Sequence, residues 1–112
     1  MDIAYSNKKV EKMCGNDKYA KKELGKKVQE RLYQRLDWLS AAPNLDFFNT
    51  VYRTLRLHKL SGNKDGMYAF EIDKQYRLVF YPCNEHGEPD YENDFKCISV
   101  VMIEEVSKHY EW

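Results

Sequence analysis

The spacing of apolar positions changes period twice along the chain. In Met1–Tyr5, Ile3 and Tyr5 fall on one side, as in a short first strand. Ser6 then stands where a helix N-cap is needed, and Val10 and Met13 share one face of the short helix it would open. Gly15-Asn16-Asp17 breaks that helix and offers a fresh cap. From Lys18 to about Ala41, the residues Ala20, Leu24, Val28, Leu32, Leu36 and Leu39 recur at intervals of three or four. This is one apolar stripe along a long predicted helix, with Lys and Arg crowding the rest of its surface. Gly25 costs that helix about 1 kcal/mol relative to Ala without ending the pattern. Pro43 ends it.

Asn44 can cap a third helix in which Leu45, Phe48 and Val51 share a face. After Arg53 the repeat becomes two: Leu55 and Leu57 point one way, Arg56 and His58 the other, as in a strand. Ser61–Gly66 is a turn-rich loop. Met67–Ile72 and Tyr76–Tyr81 are predicted strands joined by a tight turn near Asp73-Lys74. In the second of these, Tyr76, Leu78 and Phe80 form one face and Arg77, Val79 and Tyr81 the other. Pro82 to Asp94 reads as an acidic connection, and Cys97–Ile103 is apolar enough for a central strand covered on both faces. Glu104–Trp112 is a short polar ending with aromatics interspersed. The prediction is one α+β domain over residues 1–112, with N-terminal helices on one face of a small antiparallel sheet of three to five strands.

Composition narrows the classes. The 112 residues suffice for one core, and 43% are hydrophobic. No apolar run is long enough to span a membrane, and Met1–Tyr5 lacks a secretory pattern, so the expected compartment is the cytoplasm, with no membrane partner. Cys14, Cys83 and Cys97 show no CxxC spacing, and His58, His86 and His109 are scattered, so neither a metal site nor a cofactor is expected. Net charge is zero, but it is unevenly distributed: residues 1–56 hold 12 Lys+Arg against 7 Asp+Glu, and residues 57–112 hold 6 against 11.

Three stretches, in order, resemble a known family. Arg56-Leu57-His58-Lys59-Leu60-Ser61-Gly62-Asn63-Lys64-Asp65-Gly66-Met67-Tyr68 is similar to the [RK]-L-H-x-L-x-G-[DN]-[RK]-x-G-x-[YW] stretch of HigB-type toxins. Tyr76-Arg77-Leu78-Val79-Phe80 resembles the [YW]-R-[LI]-x-[FY] strand of the RelE/ParE superfamily. Ile103-Glu104-Glu105-Val106 with His109-Tyr110 resembles the last strand and the D-Y-H ending of the HigB branch. The ending departs from it, reading Lys108-His109-Tyr110, and Ser61 stands where the family has a lysine.

The resemblance implies a RelE-like fold and the toxin of a type II toxin–antitoxin system. It implies an endoribonuclease that cuts mRNA on the 70S ribosome and is held inactive by a helix-turn-helix, HigA-like antitoxin. Metal-free RNA cleavage needs a base for the 2′-OH, an acid for the leaving 5′-oxygen and a cation for the phosphorane-like transition state. His58, Arg77, His109 and Tyr110 are the catalytic candidates. Arg56, Lys59 and Lys64 are the candidates for holding RNA, with Lys59 facing away from Arg56 and His58 on a regular strand. A ParE-like inhibitor of DNA gyrase, or a non-catalytic interaction module, would use the same fold without an acid–base set.

Overall fold

The computed structural model describes residues 1–64 and 66–108. A strand β1 (Asp2–Tyr5) leads into helices α1 (Lys8–Gly15), α2 (Asp17–Leu24), α3 (Lys26–Ala41) and α4 (Leu45–Val51). Strands β2 (His58–Lys59), β3 (Tyr68–Glu71), β4 (Tyr76–Cys83) and β5 (Val100–Lys108) follow. They form one sheet in the order β1-β5-β4-β3-β2. The α+β class holds, but the sheet is mixed: β1 runs parallel to β5, while the other neighbours are antiparallel. The parallel pair arises because the helices carry the chain across the sheet between β1 and the meander, so β1 lies beside the last strand.

The long predicted helix is two helices. Gly25 adopts φ 86° and ψ 159°, a backbone region that essentially only glycine occupies. The chain turns there, and Gln29 Nε2 donates to Asp17 Oδ1 at 2.6 Å, tying the start of α2 to the first turn of α3. The apolar stripe runs on through the turn because both helices face the same core. A spacing pattern alone therefore could not reveal the break. The N-cap of α1 is Asn7 rather than Ser6, its Oδ1 accepting from Val10 N at 2.9 Å. Asn44 caps α4 as predicted, accepting from Phe47 N.

Helices and sheet share one core. Leu32, Leu39, Leu45 and Phe48 from the helices join Phe70, Leu78, Phe80, Val101 and Ile103 from the sheet, all with no exposed surface. Burying each such side chain stabilises the fold by about 1.5–3 kcal/mol. Phe70 packs on Phe48 and Phe80 with ring centroids 5.0 and 6.0 Å apart. Among the described residues no helix is long and apolar enough to cross a membrane.

Candidate functional site

The site is built on the sheet face turned away from the helices, and register decides which residues reach it. Phe70 pairs with Leu78, and Leu78 with Val106, on the core side. The alternate residues therefore share the opposite face. One row across it is His58, Ala69, Val79 and Glu105; the next is Glu71, Arg77 and Ser107. A bulge between Val79 and Phe80 shifts the β4–β5 register, leaving Glu104 as the extra residue. Tyr81 on this face donates its hydroxyl to Glu104 Oε2 at 3.3 Å. Burial, reinforced by the Glu104 carboxylate, raises the pKa of that phenol.

The approach to β2 differs from the predicted strand. Arg53–Leu55 is a single 3-10 turn, and Arg56 takes the left-handed conformation at φ 58° and ψ 51°. For an L-residue this costs about 1–2 kcal/mol. Arg56 and His58 therefore do not alternate along a regular strand, and β2 is two residues long. The left-handed turn lets the His58 ring fold back so that its Nδ1 lies 2.8 Å from the Arg56 carbonyl. A carbonyl only accepts, so Nδ1 carries the proton, and in the neutral ring Nε2 holds the basic lone pair. Arg56 Nη1 meets Glu71 Oε1 at 3.1 Å.

Lys64 lies in the 3-10 turn Gly62–Lys64, and its Nζ reaches Glu105 Oε1 on β5 at 2.5 Å. Gly66, at φ +87°, packs beneath the Tyr91 ring; a Cβ there would lie 2.7 Å from Tyr91 Cε1. The acidic connection thus presses on the loop that carries Lys64. Lys59 pairs in register with Tyr68, so it belongs to the other side of β2 from His58.

The structure therefore brings His58 and Arg77 onto one face, draws Arg56 and Lys64 to carboxylates of that face, and separates Lys59 from them. His109 and Tyr110 lie outside the described residues. Arg77 is half-buried, and its Nε is inaccessible to solvent with no hydrogen-bond partner among the described residues. The same holds for Ser107 Oγ, its neighbour across β4–β5. Two polar groups side by side without partners are expensive in any fold. Neither Ser107 nor Glu71 stands among the residues that the motifs single out. A polar residue interrupting an apolar strand is the signal that could have found each of them.

A cleft of about 220 Å³ opens at the edge of this face, between α1 and the β5 edge beyond the end of β1, and shares Glu104 and Glu105 with it. It is lined by Asn7, Lys9, Val10, Met13 and residues 104–106, and no residue of the Arg77 row borders it. Among the described residues no group of His, Cys, Asp and Glu could hold a metal ion.

No family model matches the chain, and no curated protein matches it. Solved structures do. A chain of the YoeB-YefM complex from Staphylococcus aureus superposes with a TM-score of 0.52 at 16% identity, over 98% of both chains. The YoeB/ParE toxin from Agrobacterium tumefaciens gives a TM-score of 0.51 at 12% identity, over 98% of this chain and 100% of that one. The fold is that of YoeB/ParE toxins. Neither likeness singles out the HigB branch, which rests on the sequence motifs.

Proposed function

We propose that this chain is the toxin of a toxin–antitoxin pair and that its open sheet face cleaves mRNA, without metal, on the ribosome. The carrying observation is the Arg77 guanidinium: half-buried, its Nε without a hydrogen-bond partner among the described residues, in one row with Glu71 and Ser107 and beside the row of His58. A guanidinium, an imidazole, a carboxylate and a hydroxyl within two adjacent rows make a set that strand cleavage can use. The 2′-OH of RNA attacks the neighbouring phosphorus, its proton passing to His58 Nε2 or to the Glu71 carboxylate. The P–O5′ bond breaks, the 5′-oxygen takes up a proton, and the products are a 2′,3′-cyclic phosphate and a 5′-hydroxyl. Arg77 stabilises the charge that builds on the phosphoryl oxygens, and Ser107 donates to one of them. His109 and Tyr110 remain candidates for the leaving-group proton and for stacking on a base.

In the resting protein, Arg56 and Lys64 are held by Glu71 and Glu105. An arriving phosphate competes for both cations, and the exchange frees Glu71 as a base. The likeness to a chain of a two-protein complex supports a protein partner, and the motifs point to a helix-turn-helix, HigA-like antitoxin. The test is purified protein added to mRNA with and without 70S ribosomes. Cleavage with 5′-hydroxyl ends on ribosomes supports the reading; intact mRNA in both arms rejects it.

One observation favours a second reading. Because Arg56 and Lys64 are neutralised within the chain, the face offers little net positive charge, which suits a protein-binding inhibitor of DNA gyrase better than a nuclease. DNA-damage signalling on induction, with mRNA intact, would mark that activity.

A further inference from the structure

The acidic connection between β4 and β5 is a built structure rather than a slack link. Asp90 N donates to the Pro82 carbonyl at 2.8 Å and Pro89 bridges antiparallel to Cys83, so the segment folds back along the end of β4. Asn84 Oδ1 accepts from His86 N and Glu88 N, and Asp90 Oδ1 accepts from Asn93 N, which pins the chain on both sides of Tyr91. The Tyr91 ring is set down on Gly66: its Cε1, Cδ1 and Cζ lie 2.7, 2.9 and 3.3 Å from where a Cβ on that glycine would stand. Gly66 is buried, whereas Tyr91 is 52% exposed. One side of the ring is seated on backbone and the rest meets solvent. Tyr91 also borders the open face. Gly66 follows Lys64 by two residues, and the Lys64 Nζ crosses to Glu105 on that face. Burial first, then Glu104, raise the Tyr81 phenol, and Tyr91 adds to the rise, as a neighbouring phenol does. Tyr81 stands four residues beyond Arg77 on β4, about 13 Å along the strand.

We infer that Tyr91 is a stacking platform for one unpaired base of the RNA strand, with Lys64 holding a phosphate beside it and Arg77 at the bond to be cut. An aromatic ring already held still, with a free side turned to solvent, is what a base stacks on at little cost in ordering. A protein anchor is a poorer fit, because such anchors work inside clusters that exclude water. The other large exposed apolar side chains among the described residues, Phe47 and Val51, lie on α4 and not on this loop. The loop's carboxylates give the contact a direction. Glu88, Glu92 and Asp94 are exposed and repel phosphate, which leaves the Lys64 side as the approach for the RNA backbone. The base, not the phosphate, then meets Tyr91. A base seated there fixes which phosphodiester, a few nucleotides along, reaches Arg77, so the ring sets the register of cutting.

The inference rests on RNA as the target, so its test uses RNA that cannot be cut. The full chain is titrated with short single-stranded 2′-O-methyl RNAs, each lacking the base at one position in turn, and binding is read by fluorescence anisotropy. At one position, loss of the base should weaken binding roughly 5- to 100-fold, the range for one base stacked on an aromatic ring. Tyr91→Leu keeps apolar packing on Gly66 but has no aromatic face. It should weaken binding of the intact strand by a similar factor and lose nothing further on the abasic strand, because ring and base act as one pair. Tyr91→Phe should bind like the unaltered chain, and urea midpoints should match in all three proteins. On ribosomes, Tyr91→Leu should raise KM and scatter the cut positions with kcat nearly kept. Equal binding by Tyr91→Leu and the unaltered chain overturns the inference, as does a loss in Tyr91→Leu that no single base accounts for. No binding of the unaltered chain to any of these strands also overturns it. An abasic-sensitive, Tyr91-dependent contact in a protein that never cuts mRNA keeps the platform and removes the nuclease; cutting that continues while Tyr91→Leu binds normally does the reverse.

Discussion

On β4, Leu78 and Phe80 turn into the helical layer while Arg77 and Val79 turn away from it. The two sets alternate along the same eight residues, yet they are governed by different energetics. On the core face packing supplies the stabilisation: Phe80 lies against the rings of Tyr68 and Phe70. On the open face Val79 and Ala69 are also fully buried, but they floor a surface of charged and hydroxyl groups. There Arg77 Nε and Ser107 Oγ find no hydrogen-bond partner among the described residues. Partnerless buried polar atoms also occur among the described residues of α3, at Gln29 Oε1, Tyr33 Oη and Arg35 Nε, so what sets the open face apart is that its two belong to residues paired across neighbouring strands. A fold retains unsatisfied polar groups most readily where a ligand completes them.

Substitutions on β4 should separate the two faces most sharply. Phe80→Ala removes a fully buried ring and should cost about 3–5 kcal/mol of stability, read from urea unfolding. Arg77→Ala should leave unfolding within about 1 kcal/mol of the unaltered chain and lower RNA cleavage roughly 10²–10³-fold, the loss typical of removing one transition-state donor. If Arg77→Ala instead unfolds the chain, the open face is structural and the contrast collapses.

Gly25→Ala tests the helical layer, where the chain turns in a conformation an L-residue avoids. It should destabilise by more than about 1 kcal/mol, although Ala is the better helix former. A stabilised variant would show that α2 and α3 can fuse into the single helix that the stripe suggests.

Alkaline pH gives a subtler contrast. Burial pushes the Cys14 thiol up from 9.0 to about 12, and the Tyr5 and Tyr33 phenols are raised for the same first reason. The folded chain therefore keeps protons that the unfolded chain releases. The stability the Cys14 thiol contributes is complete below pH 9 and falls as pH rises toward 12. Urea midpoints should decline across that range, and Cys14→Ala should shallow the decline.

The smallest effect belongs to the open-face ion pairs. Glu105→Gln breaks the Lys64 contact, whose two side chains are each 36% exposed, so stability should change by no more than about 1 kcal/mol. RNA affinity should rise a few-fold because Lys64 is released for phosphate. Weaker RNA binding would mean that Glu105 orients Lys64 rather than withholding it.

Much of the fold was legible because period tracks secondary structure. The switch from intervals of four at Val28, Leu32 and Leu36 to intervals of two at Tyr68, Phe70 and Ile72 marks the passage from helices to sheet. The break at Gly25 was not legible, since the stripe passes through it and only φ reveals the turn. Nor was the parallel pairing of β1, which depends on where the helices return the chain. For the site, alternation correctly set Arg77 apart from Leu78 and Phe80, and His58 apart from Lys59. The left-handed Arg56 defeated the assumption of a regular strand. Ser107 and the Lys64–Glu105 contact join residues from distant stretches, so no local pattern announces them.

The most direct measurement is to induce the chain in bacterial cells and map mRNA 5′ ends across the transcriptome, beside a folded Arg77→Ala variant. The account predicts new 5′-hydroxyl ends within translated reading frames for the unaltered chain and their loss in the variant. Growth arrest with intact mRNA, or identical cleavage by both proteins, would contradict it.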